Sequence, residues 1–151
     1  MGRSRPPRRL VVGSLTYHWR AGHRHERYQD EADLPRNDDC REVLSLRQAG
    51  ARGRLVIVFR KGPGRLVNDG MFHDGGVLRT SDRAYLNLHR PGVARALLDE
   101  ALERGHDFAP AETIEIDGWE LIDGALRRLR PPDQPAPQDD QPCDHPDPRR
   151  R

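Results

Sequence analysis

His18, His23 and His25 fall within one stretch of eight residues. Imidazoles so close together are the first place to look for metal or proton-transfer chemistry. An H-x-H pair such as His23 and His25 can share an ion, but Arg20, Arg24 and Arg27 surround it. Nearby cations oppose a dication, and no carboxylate or cysteine stands at ligand spacing to complete a tetrahedron. Cys143 and His145 form a second ligand-like pair inside a Pro-rich tail that offers no supporting shell. Nucleophiles fare no better. Ser14 lies in Val-Gly-Ser-Leu-Thr, which is not the strand-to-helix elbow of a serine hydrolase. Cys40 follows Asp38 and Asp39, the wrong setting for a reactive thiolate, with Arg41 pulling the other way. His73 and Asp74 make a base and an orienter only if the fold aims them at each other. The residues therefore assign no catalytic group, no metal ligand and no cofactor.

Anion binding is the chemistry the residue types favour most. Arg41, Arg47, Arg54, Arg60, Lys61 and Arg65 cluster in the first half of the chain and are the candidate contacts to an anion or to nucleic acid. Tyr17, Trp19 and Phe59 accompany them, and aromatics on a basic sheet can stack bases. Tyr17 and Trp19, however, fall on the apolar side of their strand, which points to the core. No RNP signature is present, and the chain's isoelectric point of about 8.8 is short of a strongly basic domain. The loop Lys61-Gly62-Pro63-Gly64-Arg65 has the composition of an anion-binding turn without the pattern of a P-loop. Pro63 removes one N–H from any nest, so a tight hairpin is the expectation. The cations are 25 arginines and one lysine. Codon bias in a GC-rich bacterial genome explains that ratio without selection for guanidinium at each site.

Charge is segregated. Met1 to Arg65 carries 15 positive and 7 negative side chains, whereas Leu66 to Leu126 carries 5 and 12. A dipolar chain offers a surface to an acidic partner, or holds two of its own elements together. The reading that follows is a non-enzymatic protein-interaction or accessory module, using an exposed sheet face or an acidic helix. The alternative is an RNA- or single-stranded-DNA-binding module built on the basic strands, with an enzyme a distant third.

These residues have to be positioned by few elements. A chain of 151 residues has room for one core. Two cysteines outside any C-x-x-C pair form no disulfide framework, and no apolar run reaches the length of a membrane span. A cytoplasmic protein is expected. Residues 1–9 are basic and Pro-rich, and 131–151 lack any aliphatic side chain larger than Ala136. Both ends are expected to be disordered. One α+β domain over 10–130 remains.

Within it, Val11 to Arg20 alternates as a half-buried strand, 21–40 reads as a long polar loop, and Arg41–Gln48 as a second strand. Arg54–Arg60 is apolar on both faces and should be central. A weak strand at Arg65–Val67, a Gly-rich loop around Asp69–Gly76 and a short strand at Ala84–Leu88 follow. Pro91 to Arg104 is an amphipathic helix. Its stripe is Val93, Leu97, Leu98, Ala101 and Leu102, with Asp99, Glu100, Glu103 and Arg104 opposite, and Gly105 closes it. A strand at Thr113–Asp117 and a helix from Trp119 to Leu129 complete the domain. The expected architecture is an antiparallel sheet of four to five strands with one main helix and a second, C-terminal helix packed on it.

Tyr17-x-Trp19-Arg20 on an opening strand, then Pro91-x-Val93-Ala94 opening a helix with Ala101-Leu102 and Gly105, resembles a loose group of uncharacterised small bacterial α+β proteins. The resemblance spans about 10–130 and departs from the group at His106, where tryptophan is usual. It implies a fold and no catalytic residue.

Overall fold

A computed structural model describes residues 5–33, 35–68 and 75–132, with the side chains of 27, 28 and 35–38 undescribed. His73, Asp74, Cys143, His145 and most of the 131–151 tail lie outside these residues, as does most of the 69–76 loop.

The chain is α+β, as its pattern implies. Strands β1 (Arg8–Val12), β2 (Leu15–Gln29), β3 (Pro35–Gln48) and β4 (Arg54–Arg60) form an antiparallel meander. Short strands β5 (Arg65–Val67), β6 (Gly76–Arg79) and β7 (Ala84–Asn87) make a second, three-stranded antiparallel sheet. Helix α1 (Pro91–Glu103) leads to β8 (Thr113–Asp117), which joins β4 in parallel, and α2 (Gly118–Leu129) follows directly. The main sheet therefore runs β1-β2-β3-β4-β8 and is mixed through one pair. Strands Arg54–Arg60 and Thr113–Asp117 fall where the sequence places them.

Two sequence expectations are corrected. The strand read across Val11–Arg20 is a hairpin whose loop is Gly13-Ser14, with Val12 paired to Leu15. Gly13 stands at φ 60°, the conformation a two-residue loop requires at its first position. The turn reverses parity, so Leu10 and Val12 join Tyr17 and Trp19 on the inner face while Val11 points out, 51% exposed. The stretch 21–40 is no loop. β2 and β3 continue as a two-stranded ribbon to Gln29 and Pro35, beyond the reach of β1 and β4. Its sequence is mostly polar, so no apolar alternation announces it. Its turn is local, with Asp33 N–H donating to the Asp30 carbonyl at 2.9 Å and Ala32 N–H to Asp30 Oδ1 at 3.0 Å.

The core lies on one side of the main sheet. Tyr17, Trp19, Leu44, Leu46, Leu55, Ile57 and Phe59 from its inner face meet Leu97, Leu98 and Ala101 of α1 and Trp119, Leu121 and Ile122 of α2. Val67, Val77, Leu86 and Leu88 bring the small sheet into the same cluster. Phe59 and Trp119 meet edge to face at 5.2 Å. The Trp119 indole N–H donates to the Arg60 carbonyl at 2.9 Å, tying α2 to the end of β4. Asp117 caps α2, accepting from the Trp119 N–H at 2.9 Å.

Glu100 is a further correction. It does not face water opposite the apolar stripe but is 5% exposed between the helices, packed on Gly124. Burial pushes its carboxyl up, but hydrogen bonds from Arg104 and Arg128 outweigh this and hold it below the usual range. β1 begins at Arg8, two residues before the expected domain start. The Arg8 guanidinium lies 4.5 Å over the Trp19 ring and donates to the His89 carbonyl. No helix among the described residues is long and apolar enough to cross a membrane.

Candidate anion-binding face

The second face of the main sheet contributes nothing to the large core. Strand register fixes what it shows, because directly paired residues share a face. Four rows cross it. Arg24 pairs with Arg41 and Arg41 with Arg60. Gly22, Val43, Val58 and Asp117 form the next row. Arg20, Ser45, Val56 and Glu115 form the third. His18 pairs with Arg47 in the fourth, and Arg54 continues it, one residue before the Leu46–Leu55 pair ends. Val43, Val56 and Val58 make a small buried cluster separate from the main core. β4 is thus apolar on both faces, and its outer valines lie between two cationic rows.

Like charges directly opposite across strands destabilise a sheet, and the two rows meet that cost differently. In the Arg24–Arg41–Arg60 row, Arg41 and Arg60 are neutralised from within. β3 carries one extra residue against β2 between Arg24 and Glu26, and Asp39 sits in this bulge at φ 49°. That strained conformation aims its carboxylate at Arg41 and at Arg60, the latter at 3.0 Å. Glu115 takes the other arm of Arg60 at 3.1 Å. Bonds to Glu115 and then Asp39 raise the Arg60 pKa further above its ordinary value.

The His18–Arg47–Arg54 row has no such partner. Neither Arg47 nor Arg54 makes an ion pair with a carboxylate among the described residues, and Arg54 Nε is buried without a hydrogen bond. Pro7, His18, Trp19, Arg20, Ser45, Arg47 and Arg54 line a cavity of about 270 Å³, with no acidic side chain among them.

The six cations singled out in the sequence are therefore split. Arg41, Arg47, Arg54 and Arg60 share the open face. Lys61 and Arg65 lie beyond its end, beside a cavity of about 420 Å³ that also takes in Glu115 and Asp117. Their loop is a type II turn, with Pro63 and Gly64 (φ 67°) as central residues and reciprocal Gly62–Arg65 backbone bonds of 3.0 Å. Arg65 reaches Asp117 at 4.0 Å, so this end of the sheet is mixed in sign.

The histidine group is dispersed. His18 lies on the open face, while His23 lies on the inner side five residues on, roughly 16 Å along the strand. His23 Nδ1 meets Glu42 Oε1 at 2.7 Å, and the His23 and His25 rings are 5.3 Å apart. Glu42, absent from any local pattern, arrives from β3 and is wholly buried. No three His, Cys, Asp or Glu side chains among the described residues are grouped to hold a metal. Sequence reading also passed over His18, Arg20 and Ser45 as neighbours of Arg47 and Arg54, because only cross-strand register joins them.

Tyr17, Trp19 and Phe59 are all in the core, at most 2% exposed. Apart from the His18 imidazole, the open face presents no aromatic ring among the described residues.

The chain matches no protein-family model, no curated protein and no solved structure.

Proposed function

We propose that this chain is a non-enzymatic binding module that takes an acidic protein partner on the open face of its main sheet. The observation that carries the reading is the cationic sheet face that the core leaves out, on which Arg47 and Arg54 bond no carboxylate among the described residues. Such a surface offers charge complementarity, and cationic steering of this kind speeds encounter with an acidic partner. The acidic helix is the weaker candidate. Asp99 is engaged by Arg95 at 2.7 Å, Glu100 by Arg104 and Arg128, and Glu103 by Arg128, so α1 spends its negative charge inside the fold. A nucleic-acid partner is also less favoured, because no aromatic platform accompanies the cations and Asp39, Glu115 and Asp117 interrupt them.

The test is fluorescence anisotropy with a labelled peptide rich in Asp and Glu with interspersed Leu, a basic control peptide and a single-stranded oligonucleotide, at about 150 mM salt. The acidic peptide is expected to bind. Arg20→Glu with Arg47→Glu should abolish that binding, and Asp99→Ala with Glu103→Ala should not. Binding that survives the sheet-face pair, or oligonucleotide binding tighter than the peptide's, refutes the proposal.

A further inference from the structure

The cavity under the His18–Arg47–Arg54 row has the makings of a single-anion site. In its row Ser45 lies between Arg20 and Val56, and along β3 between Val43 and Arg47. A serine there is shorter than the arginines beside it. It lines a hollow together with Arg20, Arg47 and Arg54. The volume of about 270 Å³ holds a tetrahedral oxyanion with a small substituent. Guanidinium groups offer paired N–H donors that match phosphate oxygens, and the serine O–H is a further donor.

The contrast across the molecule gives this cluster its meaning. Arg60, Arg79, Arg95, Arg104 and Arg128 each bond a carboxylate of the same chain. At the Arg24–Arg41–Arg60 row the chain even holds Asp39 in a left-handed conformation to neutralise adjacent arginines. At the His18–Arg47–Arg54 row no acid among the described residues reaches Arg47 or Arg54, and Arg54 Nε is buried with no acceptor among them. A buried guanidinium N–H without an acceptor costs stability in the free protein, and an incoming oxyanion supplies what is missing.

We infer that this cavity binds one phosphate monoester, displayed as a phosphorylated side chain by the acidic partner proposed above. The inference rests on the open face being the partner's seat, and it specifies the group read there. A monoester fits better than a nucleic-acid backbone. The donors converge on one hollow, whereas a polyanion needs a continued path, and the face turns acidic at Glu115 and Asp117.

Calorimetry on the full-length chain tests this with inorganic phosphate first, then with two acidic peptides that differ only in a central serine or phosphoserine. Phosphate should bind the wild type, and Arg47→Gln should weaken it about tenfold, the order expected for loss of a charge-assisted contact. Ser45→Leu, which fills the hollow without touching a charge, should abolish phosphate binding while an unchanged thermal melt shows the fold intact. Phosphoserine should tighten peptide binding about tenfold in the wild type, and Ser45→Leu should erase that difference. If both peptides bind alike and inorganic phosphate does not bind, the pocket assignment falls and the sheet-face reading stands. If phosphate binds and Ser45→Leu abolishes it, while the unphosphorylated peptide ignores the Arg20→Glu, Arg47→Glu pair, the face reading falls and the pocket stands. Phosphate binding unaffected by Ser45→Leu, or an oligonucleotide that competes better than phosphopeptide, overturns the monoester site.

Discussion

At the scale of single residues, the fold depends on a few charged groups set where charge is costly. Glu100 is the clearest. Its carboxylate sits between the helices because Gly124 leaves the space, and a Cβ built on Gly124 lands inside that carboxylate. Alanine is favoured over glycine in a helix by about 1 kcal/mol, but here overpacking costs about 1–3 kcal/mol. Gly124→Ala should therefore lower the melting temperature, and on a Glu100→Ala background the same change should be neutral or stabilising. Calorimetric melts of the four proteins in that cycle decide it, and additive effects would mean the two positions do not touch. Carboxylates held by arginine also set the acid limit. Hydrogen bonds from Arg79 bring the Asp82 carboxyl down to about 2, and Arg79 lowers Asp123 as well. Groups whose folded pKa is depressed stabilise fully above their unfolded value, and that contribution disappears as pH falls through the folded one. The melting temperature should thus decline as pH drops from about 4 toward about 2. Asp82→Asn should flatten the profile in that window, modestly, since the pair is solvent-exposed. An unchanged profile would show that the pair contributes no linkage.

At the scale of elements, α1 gives the sharpest contrast. Leu97 is fully buried mid-stripe, whereas Asp99 makes one surface pair with Arg95 at 2.7 Å. Leu97→Ala should cost about 2–5 kcal/mol, and Asp99→Ala less than about 0.5 kcal/mol. Denaturant melts that gave equal losses would put the helix face elsewhere. What the sequence made legible follows the same logic of burial. β4, β8 and both helices bury apolar side chains at a regular period, and their bounds could be read within a residue or so. The ribbon of β2 and β3 beyond His23 has no such period, so its polar residues imitated a loop. The Gly13-Ser14 hairpin was hidden because alternation ran on through it with the wrong parity. Its signal was present, since a glycine followed by serine between alternating runs is itself a hairpin turn pattern. The candidate face was half legible. Arg47 and Arg54 stood out as cations on strands, but Asp39 silencing the Arg41–Arg60 pair required the register of three strands and a bulge.

At the scale of the whole molecule, segregated charge in the sequence becomes partial neutralisation in space. Much of the basic half meets carboxylates directly. Asp39 bridges Arg41 and Arg60, Glu115 of β8 holds Arg60, and Asp117 approaches Arg65. What is left over on the sheet face is one cationic row together with Arg24, rather than a continuous field. Nucleic acid binding depends on the number of phosphates neutralised, and log affinity falls with log salt at a slope of roughly 0.9 per phosphate contact. With Arg9, Arg24, Arg47 and Arg54 as the guanidinium groups of this face that bond no carboxylate among the described residues, the full-length chain should bind single-stranded oligonucleotide only in the non-specific range. That corresponds to a dissociation constant of ~10⁻⁶–10⁻⁴ M at physiological salt. Asp39→Asn is the informative variant. Asparagine tolerates the left-handed backbone at this position, so the bulge should persist while the charge that holds Arg41 is removed and Arg60 keeps only Glu115. Oligonucleotide affinity should then rise several-fold and the salt slope should steepen by about one contact. Submicromolar binding by the wild-type chain at physiological salt would show that the basic strands serve nucleic acid after all. A slope unchanged in Asp39→Asn would show that the Arg24–Arg41–Arg60 row never was the surface Asp39 conceals.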